Sequence, residues 1–366
     1  MQTLSANSAT KIYPPSILTS NKWHVENFDS RKTFAVPEVA IAIIMYCLNP
    51  REKESIIGNI VTFYKLSSNT IELLINSLVE KNLISALEDA TNPKNNSNLY
   101  ANEYLKWTTN QWAAAADYHF FTYNYDFLDY KENSAGSRIA NERMKTYSNY
   151  EPDTNRIKTY PEHSKKIKLV LPFNDSLTDI KENLDLNCDS DIDLDKLSTI
   201  LGFAFAKTTE APIRWTGDAL IRRTSPSGGS RHPTEGYVFA LNIKNLDTGL
   251  YHVQSAPFLL TKLATVDPQQ IFSLFPEFSD DAKNNCAGII VMTSIFERNM
   301  FRYREPRTFR TIHIDAGHIL GTIELITNCM NIKTKITHRF NEKEIEKLLD
   351  IDGLSEGVIT SIGMYA

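Results

Sequence analysis

Cysteine is scarce in this 366-residue chain, and its spacing excludes several kinds of site. The four cysteines lie far apart, at Cys47, Cys188, Cys286 and Cys329. A zinc knuckle or a thiol–disulfide motif would need at least two of them close together in the sequence. A chain of this length can also bury a large core without disulfide bonds. We therefore expect no disulfide framework and no metal site.

The chain also lacks an excess of basic residues and any long apolar run. Its 39 lysines and arginines are outnumbered by 44 acidic residues, which gives a net charge of -5. Nucleic-acid binding usually requires a concentrated basic face. The most apolar run, VAIAIIMYCL, is far too short to span a bilayer, and the N-terminal MQTLSANSATKIYPP has no signal-peptide core. These features predict a cytoplasmic protein that binds neither nucleic acid nor membranes.

The length favours one large domain and one smaller one. We predict a winged-helix-like module over residues 1–100, a helical or irregular connector over 101–160, and the main domain over 161–366. In the module, apolar residues recur at helical spacing over Val36–Leu48 and Glu52–Tyr64, and Asn69 is the predicted cap of a third helix. That third helix carries glutamates rather than arginines, so we expect this module to bind a peptide or a partner protein rather than DNA. Structural support is the alternative.

The second half alternates strands with helices and contains a hairpin. Tyr237–Ile243 reads as a strand, NLDTG as a hairpin turn, AGIIVMTS as a buried strand and Ile312–Met330 as the longest helix. Acidic residues dominate the segment from Asp175 to Asp195, which predicts a solvated surface, and the acidic stretch LTDIKENLDLNCDSDIDLDKL at 177–197 contains no arginine. Strands joined by a hairpin and mixed with helices are typical of the α+β class.

The stretch RRTSPSGGSRHPTEGYVFALNI, which begins at Arg222, combines a glycine turn with several positive charges. A Gly-Gly turn lets a ligand reach backbone N–H groups, and arginines bind anionic groups in a bidentate manner. The combination points to an anionic cofactor. It is neither a P-loop nor a dinucleotide-binding fingerprint, because no Gly-Lys-Ser/Thr follows and the strand comes after the glycines. A surface turn with unrelated arginines is the alternative.

This stretch resembles a segment of the azoline-dehydrogenase (SagB/McbC) branch of the nitroreductase superfamily. Members usually show Arg-x-x-Pro-Ser-Gly-Gly-x-x-x-Pro-x-Glu, then a strand and a Gly-x-Tyr-His hairpin. This chain has a similar pattern from Arg223 to Glu235, and the hairpin matches at Gly249, Tyr251 and His252. FRTIHIDAGHILGTIELI resembles the long Asp-Ala-Gly-His helix of the family. The resemblance implies a nitroreductase-like fold, with a mostly antiparallel sheet flanked by helices, in a homodimer that binds FMN across its interface.

The same resemblance assigns roles to individual residues. The positions expected to bind FMN or to shape its site are Arg222, Arg223, Ser225, Ser227, Gly228, Gly229, Arg231, Glu235, Gly317 and Arg339. The expected catalytic positions are Tyr303 and Arg302, in MFRYREPRTFR. Here the family usually has a Lys-Tyr pair, and arginine, unlike a desolvated lysine, cannot act as a base near neutral pH. Many members also have an arginine cluster where this chain has the acidic stretch 177–197.

These observations predict an FMN-dependent dehydrogenase that oxidises thiazoline or oxazoline rings to azoles in a ribosomally synthesised peptide. Its expected partners are the precursor peptide, a cyclodehydratase complex and a second copy of the chain. One alternative is an FMN-dependent reductase of dehydroamino acids or of nitro or quinone compounds. Another is a non-catalytic scaffold of a peptide-modifying complex, and a third is a winged-helix regulator, which the charge balance disfavours.

Overall fold

The computed structural model describes residues 2–28, 30, 32–87, 96–123, 125, 127–128, 131, 135–151, 154–172, 191–212, 219–279 and 285–365. The chain divides into two compact units, Met1–Asp126 and Phe127–Ala366. The division falls inside the segment 101–160 that the sequence predicts as a connector. Most of the acidic stretch 177–197 lies outside the described residues.

Three helices of unit 1 follow the predicted apolar periodicity. They are α1 (Glu38–Tyr46), α2 (Lys53–Tyr64) and α3 (Ser68–Glu80). Their apolar sides meet in one core, in which Ile43, Ile56 and Ile71 are fully buried. The prediction that Asn69 caps α3 is wrong. Ser67 has an extended backbone, and its side chain accepts a hydrogen bond from the N–H of Thr70, so the helix already includes Asn69.

Two small sheets and two further helices complete the described part of unit 1. The first sheet has the order β5-β1-β6 and the second has the order β2-β3-β4. The strands are β1 (Thr3–Ala6), β2 (Thr10–Tyr13), β3 (Trp23–Asn27), β4 (Lys32–Val36), β5 (Arg51–Glu52) and β6 (Ile84–Ala86), and the helices are α4 (Asn96–Thr109) and α5 (Ala113–Thr122). The winged-helix assignment for this unit stays a prediction.

A seven-stranded sheet with the order β14-β15-β13-β10-β11-β12-β7 forms the centre of unit 2. Its strands are β7 (Lys166–Lys168), β10 (Thr234–Ala240), β11 (Gly249–Ser255), β12 (Phe258–Ala264), β13 (Cys286–Ile295), β14 (Lys333–Thr337) and β15 (Glu356–Tyr365). All neighbouring strands run antiparallel. β8 (Thr209–Pro212) and β9 (Ala219–Arg222) form a separate two-stranded sheet. The predicted α+β class is confirmed.

Unit 2 also contains helices among its described residues. They are α6 (Gly136–Tyr150), α7 (Leu194–Phe205), α8 (Pro268–Leu274), α9 (Pro276–Ser279), α10 (Glu297–Met300), α11 (Phe309–Cys329) and α12 (Glu342–Leu349). The longest, α11, buries Ile319 and Ile323 with residues of α7 in the main core, while Ile314 and Leu325 on its other side are 56% and 63% exposed. No helix among the described residues has the length and apolar character needed to cross a membrane.

Candidate functional site

The Gly-Gly turn connects β9 to β10 through a short 3-10 segment, Gly228–Ser230. Gly229 has a φ of 63°, in the left-handed region that favours glycine. A β-carbon built on Gly229 would lie only 2.1 Å from the hydroxyl oxygen of Tyr303. The structure thus brings together two residues that the sequence singles out for different reasons: the glycine turn and the candidate catalytic tyrosine.

Asp315 of α11 fastens this turn in place. The Ser227 hydroxyl donates to Asp315 Oδ2 at 2.6 Å, and the Gly228 N–H donates to Asp315 Oδ1 at 3.1 Å. Burial raises the pKa of Asp315, while these hydrogen bonds act in the opposite direction. Two donors that we predict for FMN therefore bind a carboxylate of the chain itself. Their observed role is to hold the turn against α11.

Arg223 is a buried guanidinium with part of its hydrogen-bonding capacity unused. Its Nη1 donates to the Thr234 carbonyl oxygen at 3.3 Å, but its buried Nε has no partner among the described residues. Burial lowers the pKa of Arg223 to about 10, so the side chain stays charged at neutral pH. The Thr234 hydroxyl and both amide atoms of Asn299 are likewise buried and unpartnered within the described structure. Buried polar groups normally have partners, so these groups indicate a polar ligand.

The other two arginines of the stretch differ in burial. Arg231 is 1% exposed, and its Nε donates to the Arg298 carbonyl oxygen at 2.5 Å. Its guanidinium also lies over the ring of Phe301, 5.5 Å from the centroid. Arg222 is exposed and reaches Ser230 Oγ at 3.5 Å. Arg231 therefore supports the loop that carries Tyr303, whereas Arg222 lies at the surface.

Glu235 belongs to a buried charge network. Its carboxylate accepts hydrogen bonds from Arg298 Nη1 at 2.5 Å and from His252 Nε2 at 2.8 Å. Desolvation alone would raise the pKa of Glu235, but Arg298 and His252 hold it at about 2. The Arg298 side chain also donates to the His232 carbonyl oxygen at 2.8 Å. The network thus ties the start of β10 to α10.

The remaining predicted residues lie in different surroundings. The hydroxyls of Ser225 and Thr322 are 2.9 Å apart, which links the turn to α11 at a second, partly buried point. Gly317 is exposed, and a β-carbon built there would meet nothing within 4 Å. Arg339 is exposed beyond β14, and no hydrogen bond or ion pair of the described residues joins its side chain to the turn.

Tyr303 lines a cavity of about 510 Å³. The other lining residues are Glu151, Glu297, Met300, Phe301, Arg304, Glu305 and Pro306. The guanidinium of Arg302 lies 5.2 Å from the centroid of the Tyr303 ring. A cavity of this volume lies within the range that accommodates small organic groups. The tyrosine is thus positioned between this cavity and the glycine turn.

Sequence reasoning missed Arg298, Asp315 as the anchor of the turn, and a second buried network. In that network Lys158 Nζ donates to Tyr237 Oη and to Glu356 Oε2, each at 2.6 Å. Arg298 lies two residues before the segment MFRYREPRTFR that contains Arg302 and Tyr303. Its full burial depends on partners distant in the sequence, and no local pattern indicates it.

Comparisons with known proteins agree with this architecture. The model of the Nitroreductase family matches residues 187–364. The trifolitoxin-processing protein TfxB of Rhizobium leguminosarum bv. trifolii is 27% identical over 265 residues, which cover 69% of this chain and 70% of that protein.

Two solved structures match this chain at low similarity. A candidate nitroreductase from Anabaena variabilis is 24% identical with a TM-score of 0.47, and the match spans 62% of this chain but only 45% of that one. The E. coli microcin synthetase McbBCD complex, solved with truncated pro-MccB17 bound, is 18% identical with a TM-score of 0.40, and the match spans 60% of this chain and 72% of that one. The predicted family resemblance is confirmed: residues 187–364 of this chain form a nitroreductase-family domain.

Proposed function

We propose that the chain is an FMN-dependent dehydrogenase that oxidises thiazoline or oxazoline rings of a ribosomally synthesised peptide to azoles. The observation that carries the proposal is that Tyr303 lines a cavity while its hydroxyl lies beside the Gly229 turn. The similarity to a toxin-processing protein supports a peptide substrate.

The residues around the turn fit the polar edge of a flavin ring. Arg223 Nε, the Thr234 hydroxyl and the Asn299 amide would hold it, because all are buried and unpartnered among the described residues. FMN, when bound, would accept the hydride that azoline oxidation releases. The charge of Arg223 would favour binding of a reduced, anionic ring. Exposed Arg222 and Arg339 are candidates for the phosphate.

Azoline oxidation removes one proton and one hydride from the ring, so a proton acceptor must lie beside the substrate. Tyr303 is the candidate, since the residue lines the cavity and its hydroxyl lies next to the turn. Arginine side chains do not act as bases near neutral pH, so the proposal gives Arg302 another role. Its charge, 5.2 Å from the ring centroid, would instead stabilise a tyrosinate.

The proposal includes partners. The precursor peptide is the substrate, a cyclodehydratase complex supplies the azoline ring, and unit 1 contacts the peptide or that complex. We also propose a cytoplasmic homodimer in which the exposed side of α11, with Gly317 and Leu325, lies at the subunit contact.

An FMN-dependent reductase of dehydroamino acids, nitro compounds or quinones is the second candidate. Arg302, in the place of the lysine that the azoline branch usually has, favours it. Consumption of NAD(P)H with an electron-poor substrate would distinguish this reductase from the dehydrogenase.

The first test is the visible absorption spectrum of the purified protein, with the released cofactor identified after denaturation. We expect near-stoichiometric FMN in the wild type and a strong loss in Arg223→Met. The control is Arg138→Met, which removes an exposed arginine of α6 in the same unit. A folded wild type that stays colourless when FMN is added would contradict both enzyme proposals and favour the scaffold.

A further inference from the structure

The sheet β2-β3-β4 of unit 1 has one apolar and one polar face. Residues directly opposite each other in antiparallel strands share a face. Glu26 lies opposite Lys11 on one side and opposite Thr33 on the other, and His24 lies opposite Tyr13. The alternate position, Val25, is buried in the core of the unit. Charged and polar side chains are thus concentrated on a single face.

Helix α5 covers part of this polar face and leaves a cavity of about 460 Å³. The cavity is lined by Tyr13, Thr19, His24, Glu26, Thr33, Asp117, Tyr118 and Phe121. Two carboxylates and three aromatic rings therefore surround one space. Carboxylates attract cations directly, and aromatic rings attract them through the negative charge of their faces.

Glu26 has an unused acceptor in this place. The residue is 4% exposed, and its Oε2 accepts a hydrogen bond from the Tyr13 hydroxyl. Its buried Oε1 has no partner among the described residues. An unsatisfied carboxylate oxygen away from water is costly, so a donor that reaches Glu26 would be stabilising.

The nearby lysine does not fully compensate this charge. Lys11 Nζ lies 2.5 Å from Asp117 Oδ1, and the Tyr104 hydroxyl donates to the same oxygen at 2.5 Å. Burial raises the pKa of Glu26, and the opposing effects of Tyr13 and Lys11 do not cancel it. Lys11 is therefore shared by the carboxylates of Asp117 and Glu26, and the cavity carries an excess of negative charge.

We propose that this cavity binds an organic cation, an ammonium or guanidinium group, with Glu26 as its counter-ion. A metal ion is disfavoured, since the described residues contain no group of three or more histidine, cysteine or acidic ligands. The site lies entirely within unit 1 and does not depend on the proposed flavin chemistry. A basic side chain of a peptide and a free amine share this chemistry.

Calorimetric titration of the full chain with small probes tests the proposal. The probes are Nα-acetyl-lysine methylamide, its arginine analogue and cadaverine, with Nα-acetyl-norleucine methylamide as the uncharged control. We expect the three cations to bind and the norleucine compound not to bind. Tighter binding of the capped amino acids would assign the site to a peptide side chain, and tighter binding of cadaverine would assign it to a free amine.

Two variants connect the binding to this cavity. Glu26→Gln removes the charge at nearly constant volume and is expected to weaken binding roughly tenfold, as loss of a charge-assisted contact does. Glu80→Gln makes the same change on an exposed glutamate of α3 and should leave binding unchanged. Thr33→Lys places an internal ammonium opposite Glu26 at an exposed position, so it should block the probes without disturbing the core.

Equal binding by wild type, Glu26→Gln and Thr33→Lys would overturn the proposal, as would binding of the norleucine control or failure of all three cations. If the Glu26→Gln variant does not fold, the titration of the Thr33→Lys variant alone tests the proposal. A wild type that lacks FMN but binds the cations would refute the proposed flavin chemistry and leave this site standing.

Discussion

The hydroxyl of Tyr303 lies so close to Gly229 that the side chain at either position limits the size of the side chain that fits at the other. Tyr303→Phe removes the hydroxyl and keeps the ring beside Arg302. If the tyrosine transfers a proton, kcat should fall roughly a hundredfold while the FMN content stays constant. Mass spectrometry of azoline-containing peptide would measure turnover. Unchanged kcat in Tyr303→Phe would remove this residue from the mechanism.

Gly229→Ala tests the contact from the other side. The new β-carbon would meet the Tyr303 hydroxyl, and a φ of 63° is unfavourable for alanine. We expect an unfolding free energy about 1–2 kcal/mol lower from the backbone alone and a reduced FMN content. Chemical denaturation and the visible spectrum measure these two quantities.

Two further variants isolate the steric part of this effect. Combining Gly229→Ala with Tyr303→Phe should restore part of the stability, because the closest atom is then absent. Gly58→Ala, at an exposed position of α2 where a β-carbon meets nothing within 4 Å, is the control and should not destabilise the protein. If the effects of Gly229→Ala and Tyr303→Phe on the unfolding free energy simply add in the double variant, the clash is relieved in another way.

At the scale of the element, α11 has two sides with different surroundings. Its Asp315 carboxylate holds the glycine turn, and an adjoining side of the helix exposes Ile314 and Leu325. Exposed apolar side chains on a long helix with small residues between them favour a helix–helix contact. A subunit that packs there would therefore lie close to the proposed FMN site.

Leu325→Glu tests this contact. A buried glutamate at the centre of a subunit interface would be unpaired, so we expect a monomer by sedimentation velocity and a parallel loss of FMN. Leu354→Glu changes an 84% exposed leucine away from α11 and should keep the dimer. A Leu325→Glu variant that stays dimeric would place the interface elsewhere.

At the scale of the whole molecule, buried ionisable groups make the stability of unit 2 dependent on pH. Burial, with nearby Arg223, lowers the pKa of His232 from 6.5 to about 3. Between these values the unfolded chain binds the proton and the folded chain does not. The unfolding free energy should therefore fall by about 1.4 kcal/mol per pH unit as the pH decreases through this range. Glu235, ionised down to about pH 2 in the fold, adds a loss of the same sign below about pH 4.5.

His232→Gln should reduce this slope between pH 6.5 and 4.5, because glutamine can keep the hydrogen bond to the Ile221 carbonyl oxygen without titrating. Calorimetric unfolding at several pH values measures the slope. His163→Gln replaces an exposed histidine of the same unit and should leave it unchanged. The same slope in wild type and His232→Gln would assign the acid sensitivity to other groups.

The sequence predicts the parts of the molecule that have strong local patterns. The hairpin of β10 and β11, the apolar β13 and the periodic α11 are identifiable in it, and so are the glycine turn and Tyr303. The short strands β2 and β4 were missed, because they mix polar and apolar residues and their pairing is set by tertiary contacts. The buried position of Arg298 was missed for the same reason: nothing in its immediate sequence distinguishes it from a surface arginine.

The alternation along β3 also limits how this segment can change in length. Val25 is in the core and Glu26 is on the cavity side, so neighbouring residues have incompatible surroundings. Inserting one residue before Val25 would exchange the two faces of the strand and move the Glu26 carboxylate into the apolar core. Inserting two would restore the order. We therefore expect single-residue insertions in β3 to prevent folding of unit 1 and paired insertions to be tolerated better.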